Sequence, residues 1–417
     1  MNAMNRLPNI LVVGTGDTKC EELQFMASVI REAGGLPVMM DVSILGDPPY
    51  APEYSRHDIA EAAGTSITAI AASGDENSAM ALMAKGAATL ARTLHDAGQA
   101  DGVIILGGSM GTDLALDVAA ALPLGVPKFV VSTIAYSHLL PPERIAPDLM
   151  MILWAGGLYG LNGICRSVLS QACGAVVGAA RFGTRPDKDR PLIGMTSLGS
   201  SCLKYMKYLK PELERRGYDV AVFHATGMGG RAFEAIAAQN GFTAVFDFCI
   251  QEVSNHHHGT VVTSGPDRLE NAGRAGIPQL VAPGAVDMVD LPAWQALPAA
   301  FADRPYHAHN RLLGSVTTSP EGRREIARII GGKLADTSAE VAFILPLKGI
   351  QEWDKPEEPL HEPEALDAFI DEMRRAVPPS VSLHEIDSHI NAPEFSAMAL
   401  AIFDDWIARG VIPGGRP

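Results

Sequence analysis

The chain has 417 residues, 47% of them hydrophobic, with 33 Lys and Arg against 48 Asp and Glu, a formal charge of −15. That length allows two or three domains with large cores, and the apolar content excludes a disordered chain. The acidic balance, with no long basic run, excludes a nucleic-acid surface, so any anionic ligand has to be held by local groups.

Met1 to Arg6 shows no apolar stretch with a small-residue cleavage site, so no signal peptide is expected. Ile10-Leu11-Val12-Val13 then runs into Gly14-Thr15-Gly16-Asp17-Thr18-Lys19, followed by Glu21 to Met26. This pattern predicts a buried strand, a tight turn and an amphipathic helix, the first βα unit of an α/β domain. Gly14 and Gly16 keep Cβ atoms away from a ligand, while the first N–H groups of the helix point at whatever sits above the strand. Such a loop suits phosphate or carboxylate. Thr15 and Thr18 offer hydroxyls, Asp17 an acceptor for ribose or a metal-bound water, and Lys19 a point charge. The turn matches neither G-x-x-x-x-G-K-[ST] nor G-x-G-x-x-G, and a plain βα turn with Asp17 capping the helix uses the same residues.

Leu36 to Val42 reads as the second strand, ending on Asp41, which stands either at the spacing of a ribose-binding carboxylate or as a solvated strand-end acid. A proline-rich loop over 46–56 precedes a helix over 75–98 that starts at Ser73-Gly74-Asp75. Gly102 to Leu106 is a buried strand that empties into a second glycine turn, Gly107-Gly108-Ser109-Met110-Gly111-Thr112. Two such turns in one domain predict a ligand crevice, because parallel sheets bind ligands at the carboxyl ends of their strands. Lys128 to Thr133 is a further strand. The apolar run Leu149 to Leu161 is too short and too glycine-rich to span a bilayer, and a helix over about 160–180 closes the domain.

Thr184 to Pro191, charged and bounded by prolines, is the expected linker. Beyond it come a strand over Leu192–Ser197, a basic helix to Arg216 and a strand over Asp219–Ala225. The third glycine turn, Thr226 to Gly230, places Arg231 at a helix start, which favours an anion. After a strand at Ala244–Cys249, Glu252 and Asn255-His256-His257-His258 follow. If that stretch is extended, His256 and His258 share a side and form a metal site with Glu252, His224 or His389; otherwise the histidines cap a loop. Val261 to Ser264 is read as another strand, with Pro266 at a helix start. Gln279–Pro283 is the next strand, and the His307 and His309 stretch is a loop forming a pocket wall or a subunit contact. Helices over 320–335, 363–376 and 393–408 alternate with strands over 341–347 and 381–386, leaving His389 and Asn391 beyond a strand end. The cysteines Cys20, Cys165, Cys173, Cys202 and Cys249 form no C-x-x-C pair, which predicts buried thiols in a reducing cytoplasm.

With these turns in hand, the chain resembles, nearly end to end, the family of bacterial and plant proteins that includes the N-terminal ATP-binding domain of the tomato mosaic virus resistance protein. The resemblance rests on Gly14 to Lys19, Gly107-Gly108-Ser109 with Gly111-Thr112, Phe223 to Ala232, Ser264 to Gln279 and His389-Ile390-Asn391. It implies a dimer of subunits with two Rossmann-like domains and a nucleotide on the N-terminal glycine turns. The expected architecture is therefore α/β, with two doubly wound, mostly parallel sheets over 1–183 and 184–417 and an interdomain cleft. The expected function is a cytoplasmic, homodimeric nucleotide-binding enzyme acting on a small phosphorylated or carboxylated metabolite, without nucleic acid or membrane partners. Gly14, Thr15, Gly16, Asp17, Thr18 and Lys19, with Gly107, Gly108, Ser109, Gly111 and Thr112, would hold ATP and Mg2+. His224, Arg231 and His389 would act as acid/base or anion clamp. Two alternatives stand beside this: a transition-metal hydrolase or lyase centred on His256, His258 and Glu252, and a non-catalytic scaffold.

Overall fold

The computed structural model describes residues 6–184, 186 and 189–416. The chain divides into two compact units, Met1–Pro186 and Asp187–Pro417. Met1 to Asn5, at the expected unprocessed N-terminus, and Arg185, Asp187 and Lys188 of the expected linker lie outside the described residues.

Unit 1 is built from β1 (Asn9–Gly14), α1 (Cys20–Glu32), β2 (Leu36–Asp41), α2 (Arg56–Ala62), α3 (Ile67–Ala71), α4 (Glu76–Asp96), β3 (Gly102–Gly107), α5 (Ser109–Ala121), β4 (Lys128–Ser132), β5 (Leu149–Leu153) and α6 (Gly163–Phe182). Its five strands are parallel, in the order β2-β1-β3-β4-β5. Side-chain alternation along β1 decides how the two faces are filled: Leu11 and Val13 join one core with α4 and α5, whereas Ile10 and Val12 join the other with α1 and α6. The α6 helix is long and apolar enough to cross a membrane by composition. Its buried stripe through Cys165, Leu169, Cys173 and Val176 packs instead against the sheet, as a core helix does.

Unit 2 continues with β6 (Leu192–Ser197), α7 (Lys204–Arg215), β7 (Asp219–His224), α8 (Met228–Ala238), β8 (Ala244–Cys249), α9 (Gln251–His257), α10 (Asn271–Arg274), β9 (Gln279–Gly284), β10 (Met288–Pro292), β11 (Tyr306–Ala308), β12 (Leu313–Thr317), α11 (Pro320–Ala335), β13 (Val341–Pro346), α12 (Pro363–Ala376), β14 (Ser382–Ile386) and α13 (Pro393–Ala408). Its main sheet is parallel, in the order β7-β6-β8-β9-β13-β14. Counted from β6, that order begins 2-1-3-4-5, so both units repeat one doubly wound topology.

Three sequence expectations fail here. Residues 251–257 are helical, so the histidine run is not an extended segment. Residues 261–264 form no strand; Thr260 and Thr263 hydroxyls accept from Val262 and Gly265 N–H groups in a tight non-repetitive turn, and the helix after Pro266 begins only at Asn271. The supposed loop around His307 contains β11, the edge of a small antiparallel sheet ordered β10-β12-β11.

Candidate functional site

In a 2-1-3-4-5 sheet the strand order reverses between the first and third strands, and ligands bind above that switch point. In unit 1 the switch lies between β1 and β3, the two strands that carry the glycine turns. Both turns open onto one cavity of about 670 Å3. Gly14, Thr15, Asp17, Thr18 and Lys19 line one side, and Gly107, Gly108, Ser109 and Gly111 the other. The volume falls within the range of small-molecule and cofactor sites.

The first turn is held from below by an acid. Asp41 is fully buried at the end of β2, accepting from the Gly16 N–H at 2.9 Å and from the Ser43 hydroxyl at 2.5 Å. It is thus neither a solvated strand-end residue nor in position to meet ribose, and burial raises its pKa. Gly16 is itself a packing residue that does not line the cavity: a Cβ there would stand 2.8 Å from Pro48 Cβ and Tyr50 Oη. The Asp17 N–H donates to Ser43 Oγ at 3.1 Å, while Asp17 Oδ1 is buried without a partner. Asp17 does not cap α1, which has no side-chain cap. Thr15 and Thr18 hydroxyls lie 2.9 Å apart.

At the second turn, α5 begins after Gly108 with no side-chain cap and no acid in its first turn, so its leading N–H groups remain available. Gly107 is required by closeness, since a Cβ would come within 2.5 Å of Gly111 Cα. Thr112 departs from expectation. It is buried, with its hydroxyl 2.7 Å from both the Gly108 carbonyl and Ser132 Oγ, and it braces the turn from behind.

Other walls of the cavity come from residues without a motif. Val42, Ile44 and Leu45 follow β2, Asp75, Glu76, Ala79 and Met80 stand at the start of α4, and Tyr159, 97% exposed, follows β5. The only advance sign of this apolar side was the start signal at Asp75, whose carboxylate does cap α4 through the Ser78 N–H.

The expected catalytic and metal residues of unit 2 do not assemble into one site. Arg231 forms a two-pronged ion pair with Asp267, at 2.7 and 2.8 Å, and so is not a free anion clamp. His389 is locked by Gln351 O and Asp354 Oδ1 on Nε2 and by the Asn391 N–H on Nδ1. His224 Nδ1 accepts from the Gly199 N–H at 3.3 Å, and partial burial lowers its pKa. Glu252 is buried, receives the Gly227 and Gly230 N–H groups at 2.7 and 3.0 Å, and is bonded to Arg268 Nε at 2.7 Å. His256 meets Thr263, and His258 stacks edge-on against Phe301. Positions two apart on a helix point in different directions, which is why these histidines diverge. Among the described residues no group of three or more His, Cys, Asp or Glu is placed to hold a metal ion.

Comparison with known proteins accords with the two-unit reading. The Uncharacterised protein family (UPF0261) N-terminal domain matches residues 8–185, and the C-terminal domain of the same family matches residues 190–407. A UPF0261 protein of Brucella melitensis is 71% identical over all of both chains. One from Clostridium tetani is 35% identical, covering 94% of this chain and 97% of its own. The ToMV resistance protein Tm-1 of Solanum lycopersicum is 28% identical over 94% of this chain and 55% of its own length. The tomato protein is thus among its relatives, and the chain belongs to the UPF0261 family.

Proposed function

We propose that unit 1 binds a nucleotide, ATP with Mg2+, in the cavity above the β1/β3 switch point. The observation that carries this reading is the convergence of both glycine turns on a single cavity of about 670 Å3. The uncapped start of α5 supplies N–H groups and a positive dipole end for phosphate, and Lys19 adds charge. The unpartnered Asp17 Oδ1, with the Thr15 and Thr18 hydroxyls, suits a hydrated magnesium ion. Ile44, Leu45 and Met80 offer an apolar wall for the base.

Calorimetric titration with ATP, with and without Mg2+, tests this on the wild type and Asp17→Ala. Saturable, magnesium-dependent binding that is lost in the variant, with its melting unchanged, is expected. Equal affinity in both proteins would refute the assignment.

On the same reading the protein is a cytoplasmic homodimer and a nucleotide-dependent enzyme of small-molecule metabolism, acting on a phosphorylated or carboxylated substrate. Five free thiols and the family resemblance support the compartment and the dimer. Release of ADP or phosphate in a metabolite screen would support the enzyme; binding without turnover would favour a nucleotide-binding scaffold.

A further inference from the structure

Large apolar side chains are left in water at the unit 1 cavity. Among the described residues the two most exposed of them are Tyr159, at 97%, and Leu45, at 89%, and both line that cavity. Single exposed apolar residues are ordinary on a protein surface, but two of this degree on one concave site mark a surface that a ligand covers. Among the described residues Tyr159 is also the only aromatic side chain of the cavity wall.

The chain on either side holds Tyr159 in place. β5 is an edge strand, three places from β1 in the sheet, yet the segment leaving it runs back to α1. The Trp154 N–H donates to the Ser132 carbonyl at 2.9 Å, Leu158 is buried in the core shared by α1 and α6, and the Gly160 N–H donates at 2.9 Å to Oε1 of Glu22, itself buried on α1. Residues 154–160 therefore form a strap beside the ends of β4 and β3, where Thr133, Gly107 and Gly108 line the same cavity. Gly157 has to stay bare, since a Cβ there would stand 2.8 Å from the Tyr159 ring. The strap is fixed before and after Tyr159, and the ring between these anchors is free to meet a ligand.

We propose that Tyr159 stacks on the base of the nucleotide bound by unit 1 and sets a preference for purines over pyrimidines. This role rests on the nucleotide reading of the cavity and adds the group that grips the base. With the phosphates at the α5 start and Lys19, the base meets Ile44, Leu45 and Met80, none of them aromatic, and Tyr159 supplies the one ring. An aromatic side chain packs on the π-face of a base without reading its hydrogen-bonding edge, and a two-ring purine covers more of the phenol than a one-ring pyrimidine does.

Calorimetric titration of the full chain with magnesium and ATP, CTP or tripolyphosphate tests this on the wild type, Tyr159→Ala and Tyr159→Phe. ATP is expected to bind at least about fivefold more weakly to Tyr159→Ala, with its margin over CTP narrowed, while Tyr159→Phe binds as the wild type does. Tripolyphosphate affinity and the melting temperature should not move, because an exposed ring contributes no core packing. Unchanged ATP affinity in Tyr159→Ala, an unchanged margin over CTP, or tripolyphosphate binding lost in step with ATP would overturn this role alone. A wild type that binds no ATP would overturn the nucleotide reading and this role with it.

Discussion

Replacing Arg268 by Met would test how unit 2 is held together. The Arg268 side chain is fully buried and its guanidinium makes five bonds: to Glu252 at 2.7 Å, Glu234 at 3.2 Å, Asp247 at 2.5 and 2.7 Å, and the Cys249 carbonyl at 3.0 Å. One cation thus faces three buried carboxylates, so the cluster already carries an excess of negative charge. Burial, the largest influence, pushes Glu234 up to about 7. Methionine fills similar space but leaves three acids without a counter-charge, and breaking a buried ionic network in this way costs about 3–5 kcal/mol. Native-state hydrogen exchange in urea, read on β6 and β8 amides at pH 7.5, measures the loss. The pH dependence has a definite sign. A buried acid whose folded pKa lies above its unfolded value of 4.5 destabilises the protein above the folded pKa, and that penalty fades as pH falls from about 7 toward 4.5. The variant, with its acids raised further, should therefore recover part of its deficit at acidic pH. A loss under about 1 kcal/mol at pH 7.5, or a deficit that grows on acidification, would refute this account.

Gly16→Ala should distort the first glycine turn without touching the cavity wall, because the new Cβ meets Pro48 and Tyr50 at 2.8 Å and Asp41 Oδ1 at 3.1 Å. Overpacking of this kind costs about 1–3 kcal/mol, seen in urea denaturation, and ATP affinity should fall with it. Glu252→Ala should leave the Gly227 and Gly230 N–H groups and Arg268 Nε as an unfilled three-donor anion site, and formate should raise the melting temperature of the variant saturably while leaving the wild type unmoved.

Long regular elements were legible because periodicity over many residues averages out local ambiguity. The helices at 320–335, 363–376 and 393–408, and the strands of the two parallel sheets other than β5, stand where the apolar runs and end signals put them, whereas Leu149–Leu153 reads in the sequence only as an apolar run. Short segments were not legible. Residues 251–257 carry Val, Asn and His, poor helix formers, and become helical only because Val253 and Ile250 pack into the core beneath α11. The antiparallel β10-β12-β11 insert pairs residues more than twenty apart in sequence, at Asp290 and Ser315, and no local pattern announces that pairing.

The two units show why a glycine turn alone does not identify a ligand site. Both Gly107-Gly108 and Gly227 to Gly230 present backbone N–H groups at a helix start, a geometry that favours an anion. What differs is where the anion comes from. At α8 it is supplied by the protein, since Glu252 reaches from the start of α9 to take both N–H groups, and a Cβ on Gly230 would lie 1.9 Å from its carboxylate. That turn is closed by a side chain twenty-two residues downstream, itself fixed by Arg268. At α5 no side chain caps the helix, no acid stands in its first turn, and the turn lines an open cavity. The same topology therefore yields a self-satisfied structural corner in one unit and an unfilled donor array in the other. It is the unfilled array, rather than the count of glycines, that directs the nucleotide reading to unit 1.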